Sequence, residues 1–519
     1  IYPNGFLPEI NSNINDASLG AGIRGTYEKW EVDFSNVYGK NSFDYLITNT
    51  VNASLGSASP TEFNAGGFSF AQNTANLDIR RYFDDKLAGL NIAFGAEYRM
   101  ENYQINAGEE GSYRDYGAAS AYPTTGGDTV IITDGVGPIS TVFDPIGRPR
   151  PAGSQVFPGF RPDNEVNAFR TSVGFYGDVE ADLTDKLLLG VAGRFENYSD
   201  FGSTFNAKVT TRYRATDNIS LRAGFSTGFR APSLHQLNFN STSTLFVDGV
   251  PFEVGVFDNN SRPAQLLGIP KLKQEESTNI SGGITGRIPD ANLSFTIDGF
   301  IIDIKDRVVL TGQFQGGTAT PQLIQISELL QQANANRAAF FANAIDSRTS
   351  GVDVVVTHQA RLGEGSLTTS LAATFVQTTL EQVNTNSILR GFEDTYFDRT
   401  SQIFLESAVP RTKVNLTFNY GINKFRVFLR NVYFGEVDEA TDNPDNAQTF
   451  SGKIVTDLSF GYDVSKRLSF TVGANNLLDV YPDLNRAENQ SGGRFLYSRR
   501  SQQFGANGRY LFARVRFTL

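Results

Sequence analysis

The chain has 519 residues, and its 45 basic side chains are scattered among 55 acidic ones for a net charge of -10, so there is no basic stripe of the kind nucleic acid demands. No apolar run reaches the roughly eighteen residues of a membrane helix and the mean hydropathy is negative, which excludes helical spans but not a strand-built wall diluted by lumen-facing polar residues. Zero Cys excludes disulfides and thiolate metal sites, and 50 Gly, 42 Phe and 20 Tyr against one Met and one Trp favour aromatic strands with tight turns over helical packing.

Read in chain order, Ile1-Tyr2-Pro3-Asn4-Gly5 looks like loop, with no initiating Met or signal peptide, so the chain is expected to be part of a longer protein. About seventeen segments with period-two alternation follow, beginning near Leu19 to Tyr27. Next come Leu90 to Asn106, Glu165 to Leu183, Leu187 to Tyr198, Ser203 to Ala215, Ile219 to Arg230 and Ser277 to Ile288. The series continues with Leu293 to Leu310, Gly351 to Ala360, Ser366 to Val383, Lys413 to Ile422, Phe425 to Phe434, Ile454 to Val464 and Leu468 to Val480. In the last segment Leu511, Ala513, Val515, Phe517 and Leu519 fall on one face and Phe512, Arg514, Arg516 and Thr518 on the other, one suited to lipid and the other to water.

Connections alternate in length. Asp84-Asp85-Lys86, Thr184-Asp185-Lys186, Ala215 to Asn218, Pro289 to Asn292 and Ser465-Lys466 are short and turn-rich, as periplasmic hairpins are. Long connections near 108–164, 231–274, 311–350, 384–411, 435–453 and 482–508 are expected outside the cell. One of them, Pro321 to Ala344, has helical character through Leu323, Ile324, Ile326, Leu329, Leu330 and an Ala-rich sequel. The whole describes an all-β, antiparallel up-and-down transmembrane barrel, with a large soluble β-sandwich or propeller as the competing architecture. If turns alternate strictly, the first and last strands run the same way. An odd number of strands cannot close without a parallel seam, so N-terminal strands are expected to be missing.

Gly193-Arg194-Phe195-Glu196-Asn197-Tyr198 through Gly202, followed by Arg222 to Leu234 (RAGFSTGFRAPSL), resembles the central barrel of TonB-dependent outer-membrane transporters. Gln274 to Asn279 (QEESTN), Gly473 to Tyr481 (GANNLLDVY) and the closing Arg514 to Leu519 (RVRFTL) resemble further strands of that family in order and spacing, and Asn52 to Gly56 (NASLG) with Ser59-Pro60-Thr61, then Gly95 to Arg99 (GAEYR), resemble a large branch of it whose substrates are often unassigned. The resemblance spans nearly the whole chain, although Leu519 departs from the aromatic terminus common in such barrels. It implies a barrel of about 22 strands in the bacterial outer membrane, plugged by an N-terminal domain, of which 1–519 would be a partial barrel lacking the plug and the first strands. It also implies contact with outer-membrane lipid, energy from TonB acting on the missing plug, and a small solute or metal chelate as cargo. Ferric siderophore is the default cargo, with carbohydrate, cobalamin and peptide compatible. A surface lipoprotein partner stays open, and the alternative from another class is a passive porin or adhesin.

Alternation puts Arg194, Glu196, Lys208, Arg212, Arg222, Arg230, Lys413, Arg426, Arg430, Asp457, Arg514 and Arg516 on the inner face. There they would set ion selectivity in an open pore or line the wall against a plug, and the resemblance favours the second. Arg230 ends its strand just before Pro232 near the mouth, as a substrate contact or as a structural arginine bonded to loop carbonyls. The loop after Gly108 carries Tyr113, Arg114, Tyr116 and Tyr122, then Arg148, Arg150, Phe157, Phe160 and Arg161. Rings with guanidinium groups stack on catechols or sugars and pair with anionic chelates, and they also make an ordinary polar surface. His235 is one of two histidines, too few for a metal-capturing cluster, and reads either as a ligand or as a bonded loop residue. Asp438, Glu439, Asp442, Asp445 and Asn446 gather oxygen ligands without EF-hand spacing, so a solvated acidic loop is the plainer reading. With no Cys nucleophile, Gly-x-Ser-x-Gly elbow, phosphate loop or His-Glu-x-x-His motif, no enzymatic activity, cofactor or bound metal is expected.

Overall fold

The structure is a computed structural model that describes residues 1–114, 116, 120–123, 129–132, 153–247, 250–261, 264–265, 267–332, 337–385, 392–440, 443–490 and 494–518. Its main sheet has twenty strands, of which Ser241–Val247, Val250–Phe257 and Phe314–Gln315 lie among the long loops and seventeen form a wall. The wall begins with β1 (Glu9–Tyr27), β2 (Trp30–Thr48), β3 (Phe63–Phe83), β4 (Leu90–Asn106), β5 (Val166–Thr184) and β6 (Leu187–Tyr198). Then come β7 (Gly202–Thr216), β8 (Ile219–Arg230), β9 (Glu275–Ile288), β10 (Leu293–Leu310), β11 (Arg337–Leu362) and β12 (Gly365–Val383). β13 (Thr412–Ile422), β14 (Phe425–Phe434), β15 (Lys453–Asp463), β16 (Leu468–Asn475) and β17 (Tyr510–Phe517) complete it. Each wall strand pairs antiparallel with its neighbour in sequence, the signature of an up-and-down meander.

The two faces separate as period two requires. Phe175, Phe195 and Phe205 share one register row across β5, β6 and β7 and are 54%, 43% and 69% exposed, which a water-soluble sheet would not tolerate in such a row. One residue further along, Glu97, Gly174, Glu196 and Thr204 form the adjoining inward row. Tight turns close one end. Glu28 and Lys29 adopt left-handed φ of 47° and 69° between β1 and β2, and Asn292 and Asn423 do so at 46° and 52° in later turns, the conformations that hairpin twist favours. At the other end the connections are long, except for Ser199, Asp200 and Phe201 between β6 and β7.

Several elements differ from the sequence expectation. The helix covers only Pro321–Gln332, and the Ala-rich sequel opens β11, so the loop expected over 311–350 ends earlier. Ala338, Ala339, Phe340, Ala342, Ala344 and Ile345 are buried on both sides between wall and loops. A strand buried on both faces loses the alternation that marks it. β16 stops at Asn475 rather than Val480, because Asn476 and Asp479 turn left-handed (φ 50° and 58°) and the Asn476 side chain accepts from Val480 N at 2.9 Å. β1 begins at Glu9, ahead of Leu19, through a polar stretch that alternation does not flag.

The apolar cores lie in the loops. One gathers Leu267, Ile269, Phe314, Ile326, Leu330, Phe340 and Tyr396, and the other Tyr103, Ile105, Phe160 and Leu234. Among the described residues β1 and β17 each pair with one neighbour and not with each other, and β1 is exposed throughout. The sheet therefore has two free edges.

Phe340 is fully buried with Phe257 and Phe314 each 6.1 Å away between ring centroids. Phe340→Ala is expected to cost about 3–5 kcal/mol of local stability. Limited proteolysis should then cut the loops of 231–274 and 311–336 faster, while the wall keeps its resistance to denaturation in detergent.

Candidate functional site at the loop end

The inner face near the mouth is organised by Arg170 on β5, which alternation places inward and the fold buries to 4%. Its Nε donates to Glu101 Oε2 at 2.7 Å, and its Nη1 to the Pro232 carbonyl at 2.6 Å and to Asp200 Oδ2 at 3.4 Å, with the guanidinium 5.5 Å from the Tyr198 ring. One planar fork thus ties β4, β5, the β6–β7 turn and the start of the long loop after β8.

Anchoring Pro232 sets the position of the next residues. Ser233 Oγ accepts from Gln236 N at 3.1 Å and Gln236 Oε1 accepts from Ser233 N at 3.0 Å, a reciprocal cap that starts the short helix Leu234–Asn238. The helix carries His235 into a nest of rings, with Phe239, Tyr103, Phe68 and Phe341 at centroid distances of 4.9, 5.3, 5.8 and 6.4 Å. Burial there pushes the imidazole below its ordinary pKa. Phe157 packs on Tyr45 at 4.6 Å and Phe160 is 2% exposed, so these two rings from the loop after β4 serve packing. Among the described residues Arg230 bonds no loop carbonyl: its Nη2 meets Glu275 Oε1 at 2.5 Å, and the same oxygen accepts from Val308 N at 2.7 Å, linking β8, β9 and β10.

The other loop residues divide. Tyr113 ends the short helix Glu110–Tyr113 and is half-buried. Arg114 is exposed, paired with Glu110, and lies 5.3 Å from the Tyr116 ring, while Asn52 Nδ2 donates to the Arg114 carbonyl at 2.9 Å and Tyr116 N donates to Ser54 Oγ at 3.1 Å. These bonds bring the β2–β3 connection against the loop after β4. The side chain of Tyr122 lies outside the described residues, as do Arg148, Arg150 and Asp442.

Along the inner face Arg194 bridges Glu196 and, at 3.3 Å, Glu97. Arg222 Nε donates to Asp298 at 2.7 Å, Arg426 pairs with Asp463 at 2.7 Å, and Arg430 Nε donates to Asp457 at 2.9 Å. Arg514 and Arg516, on the free edge strand, have no ion pair among the described residues. In the acidic loop Asp438 accepts from Thr449 Oγ1 at 2.6 Å inside the hairpin of Val437–Glu439 with Gln448–Phe450. Among the described residues no group of three or more His, Asp or Glu is placed to hold a metal ion. The Arg170 network was not visible in the sequence, because its four partners come from four elements whose register no local pattern reveals. A second unforeseen clasp is Asp483, which receives Lys453 Nζ at 2.6 Å and Ser451 N at 2.6 Å; burial would raise its carboxyl, and these partners outweigh burial and hold it below the ordinary range.

An apolar outer belt, an inner face of paired charges and long loops gathered at one end define a β-barrel of the bacterial outer-membrane class. Residues 2–477 match the family described as TonB dependent receptor-like, beta-barrel, and the chain belongs to that family of the bacterial outer membrane. A curated relative, the ferric enterobactin receptor PirA of Pseudomonas aeruginosa, is 26% identical over 163 residues, covering 31% of this chain and 20% of the relative. The siderophore receptor PirA of Acinetobacter baumannii superposes with a TM-score of 0.60 at 14% identity over 98% of this chain and 62% of that one. The ferripyoverdine receptor of the outer membrane of Pseudomonas aeruginosa, solved with ferripyoverdine bound, gives 0.57 at 13% identity over 97% and 56%. The chain thus spans less than two thirds of the length of each of these three proteins.

Arg170→Ala leaves Glu101 buried without its counter-charge and should cost about 3–5 kcal/mol, read as a lower midpoint of unfolding in detergent. For His235, the released ring takes up a proton as pH falls through about 6.5 while the docked ring resists it, so docking is strongest above that value and weakens below it. Amide protection across Leu234–Asn238, taken relative to the intrinsic exchange rate at each pH, should fall between about pH 7 and pH 5 in the native protein and lose that dependence in His235→Phe.

Proposed function

We propose that this chain is the larger part of the barrel of a TonB-dependent receptor that takes up a ferric siderophore across the outer membrane. The observation that carries this reading is the family match along residues 2–477, supported by relatives whose names specify ferric enterobactin and ferripyoverdine. The free edges of β1 and β17 support a barrel of about 22 strands completed by segments outside 1–519, because an unpaired strand edge cannot face hydrocarbon. A plug domain would then sit against the inner charges, including Arg514 and Arg516, and TonB would act on that plug.

On this reading the loops face outward and capture the chelate, the plug rearranges, and the wall performs no covalent chemistry. The reading assigns the exposed Arg114, with the half-buried Tyr113 and Tyr116 beside it, to meeting an anionic, aromatic chelate, and is supported by the Arg114 guanidinium lying 5.3 Å from the Tyr116 ring; Arg230 and His235, bonded to Glu275 and packed among rings, would hold the mouth in shape. Passive porin action fits less well, since the family match is to receptors and most inner arginines are already engaged by carboxylates.

Growth and uptake of a deletion strain complemented with the full-length gene, on iron chelates, glycans and cobalamin with TonB present or removed, test the reading. Loss on one ferric siderophore in both the deletion and TonB-null strains is the expected result. Entry that persists without TonB would establish the passive pore instead. Arg114→Ala with Tyr116→Ala should weaken chelate binding about tenfold with the wall intact, measured by titration of the purified protein.

A further inference from the structure

A hollow of about 700 Å³ lies at the turn end of β14 to β17, lined by Lys424, Arg426, Lys466, Arg467 and Arg516, with Asp463 its one carboxylate. Asp463, Ser469 and Arg516 form a single register row across β15, β16 and β17, on the inward side shared with Arg426, so the hollow opens into the interior and not toward lipid. A second hollow of about 480 Å³ continues it along the same face, sharing Arg426, Ser469 and Arg516 and adding Arg514. Arg426, Gly461, Thr471 and Arg514 are the next inward row.

The charge here is unmatched. Asp463 is already engaged by Arg426 at 2.7 Å, and Lys424 Nζ donates only to the Val464 carbonyl at 3.2 Å. Lys466, Arg467, Arg514 and Arg516 are exposed and have no ion pair among the described residues. Elsewhere on the inner face adjacent strands match charge, as Arg24 does with Asp33 at 2.6 Å, Arg80 with Glu31 at 2.6 Å and Arg430 with Asp457 at 2.9 Å. Cations of one sign gathered in a concave wall repel one another and focus a field that draws an anionic partner.

Topology selects that partner. Phe517 pairs with Leu468, the first residue after the turn Ser465-Lys466-Arg467, and Thr518 N donates to the Arg467 carbonyl at 2.8 Å, so β17 ends at the tight-turn end of the wall. A strand that covers the free edge of β17 antiparallel to it must start at that same end. The chain entering such a strand therefore crosses the rim beside Lys466, Arg467 and Arg516.

We propose that this hollow clasps a carboxylate-rich segment of the full-length protein, the stretch that leads into the strand beside β17, through Lys466, Arg467 and Arg516. The clasp would fix the point where the wall is entered, leaving the domain before it free to move. The inference rests on the reading of a barrel completed by segments outside 1–519.

Full-length protein in native outer membranes is treated with a zero-length carbodiimide, which joins an amine only to a carboxylate in contact with it, and the linked peptides are identified by mass spectrometry. Links from Lys466 to Asp or Glu of the entering segment are expected. No link from Lys466, or links only to Asp463 or to a separate polypeptide, overturn the proposal. In Lys466→Glu/Arg467→Glu the amides of the entering segment should exchange about tenfold faster while those of Tyr510–Phe517 keep their protection, and unchanged exchange in the segment counts against the clasp. Should the double variant not fold, exchange is followed in the native protein from about 0.05 to about 0.5 M salt, where the segment should loosen and the wall should not; a segment insensitive to salt refutes the clasp. An unprotected edge at Tyr510–Phe517 would overturn the completed barrel and this inference together, whereas a protected edge with Lys466 unlinked overturns this inference alone.

Discussion

Backbone hydrogen bonding is the constraint on which the rest of the molecule depends. In hydrocarbon each unsatisfied amide costs several kcal/mol, so a chain without membrane helices can cross only as strands paired on both sides. The sequential pairing of β1 through β17 is that requirement carried through, and the free edges of the first and last are where it is unmet. Long crossovers are unnecessary when every neighbour is the next strand, so one end can be closed by two-residue turns and the other released for long loops.

Since the wall cannot enclose a dry core of its own while its inner face carries charges, apolar packing moves to the loop end. Phe340, Tyr396 and Leu330 form a small domain-like core on top of the barrel, and Tyr103, Phe160 and Leu234 a second one within its mouth. Arg170 joins wall to loop by a carbonyl bond to Pro232, so the position of the helix bearing His235 is set from below by an ion network and from above by ring packing.

Much of the wall was legible in the sequence, since period two survives wherever one face meets lipid and the other polar groups: Leu90–Asn106, Ile219–Arg230, Leu293–Leu310 and Phe425–Phe434 keep the bounds their alternation implies. Legibility failed where that asymmetry fails. Arg337 to Ile345 is covered on both faces and reads as a helix, and β1 before Leu19 is polar on both. At the candidate site, the turn signals located the loops and the Arg-rich inner face. The pairing of Arg230 with Glu275, and the burial of His235, depended on register and on packing between distant loops, which spacing along one chain does not encode.

The three-residue connection Ser199-Asp200-Phe201 gives the mouth a lip of uneven height. Phe201 stacks on Tyr198 at 4.5 Å and lies 6.5 Å from Phe229, so the chain there is pinned to the wall top. Its Asp200 is bonded to the same guanidinium that holds the Pro232 carbonyl, so the shortest connection at this end and the start of the long loop after β8 share one anchor.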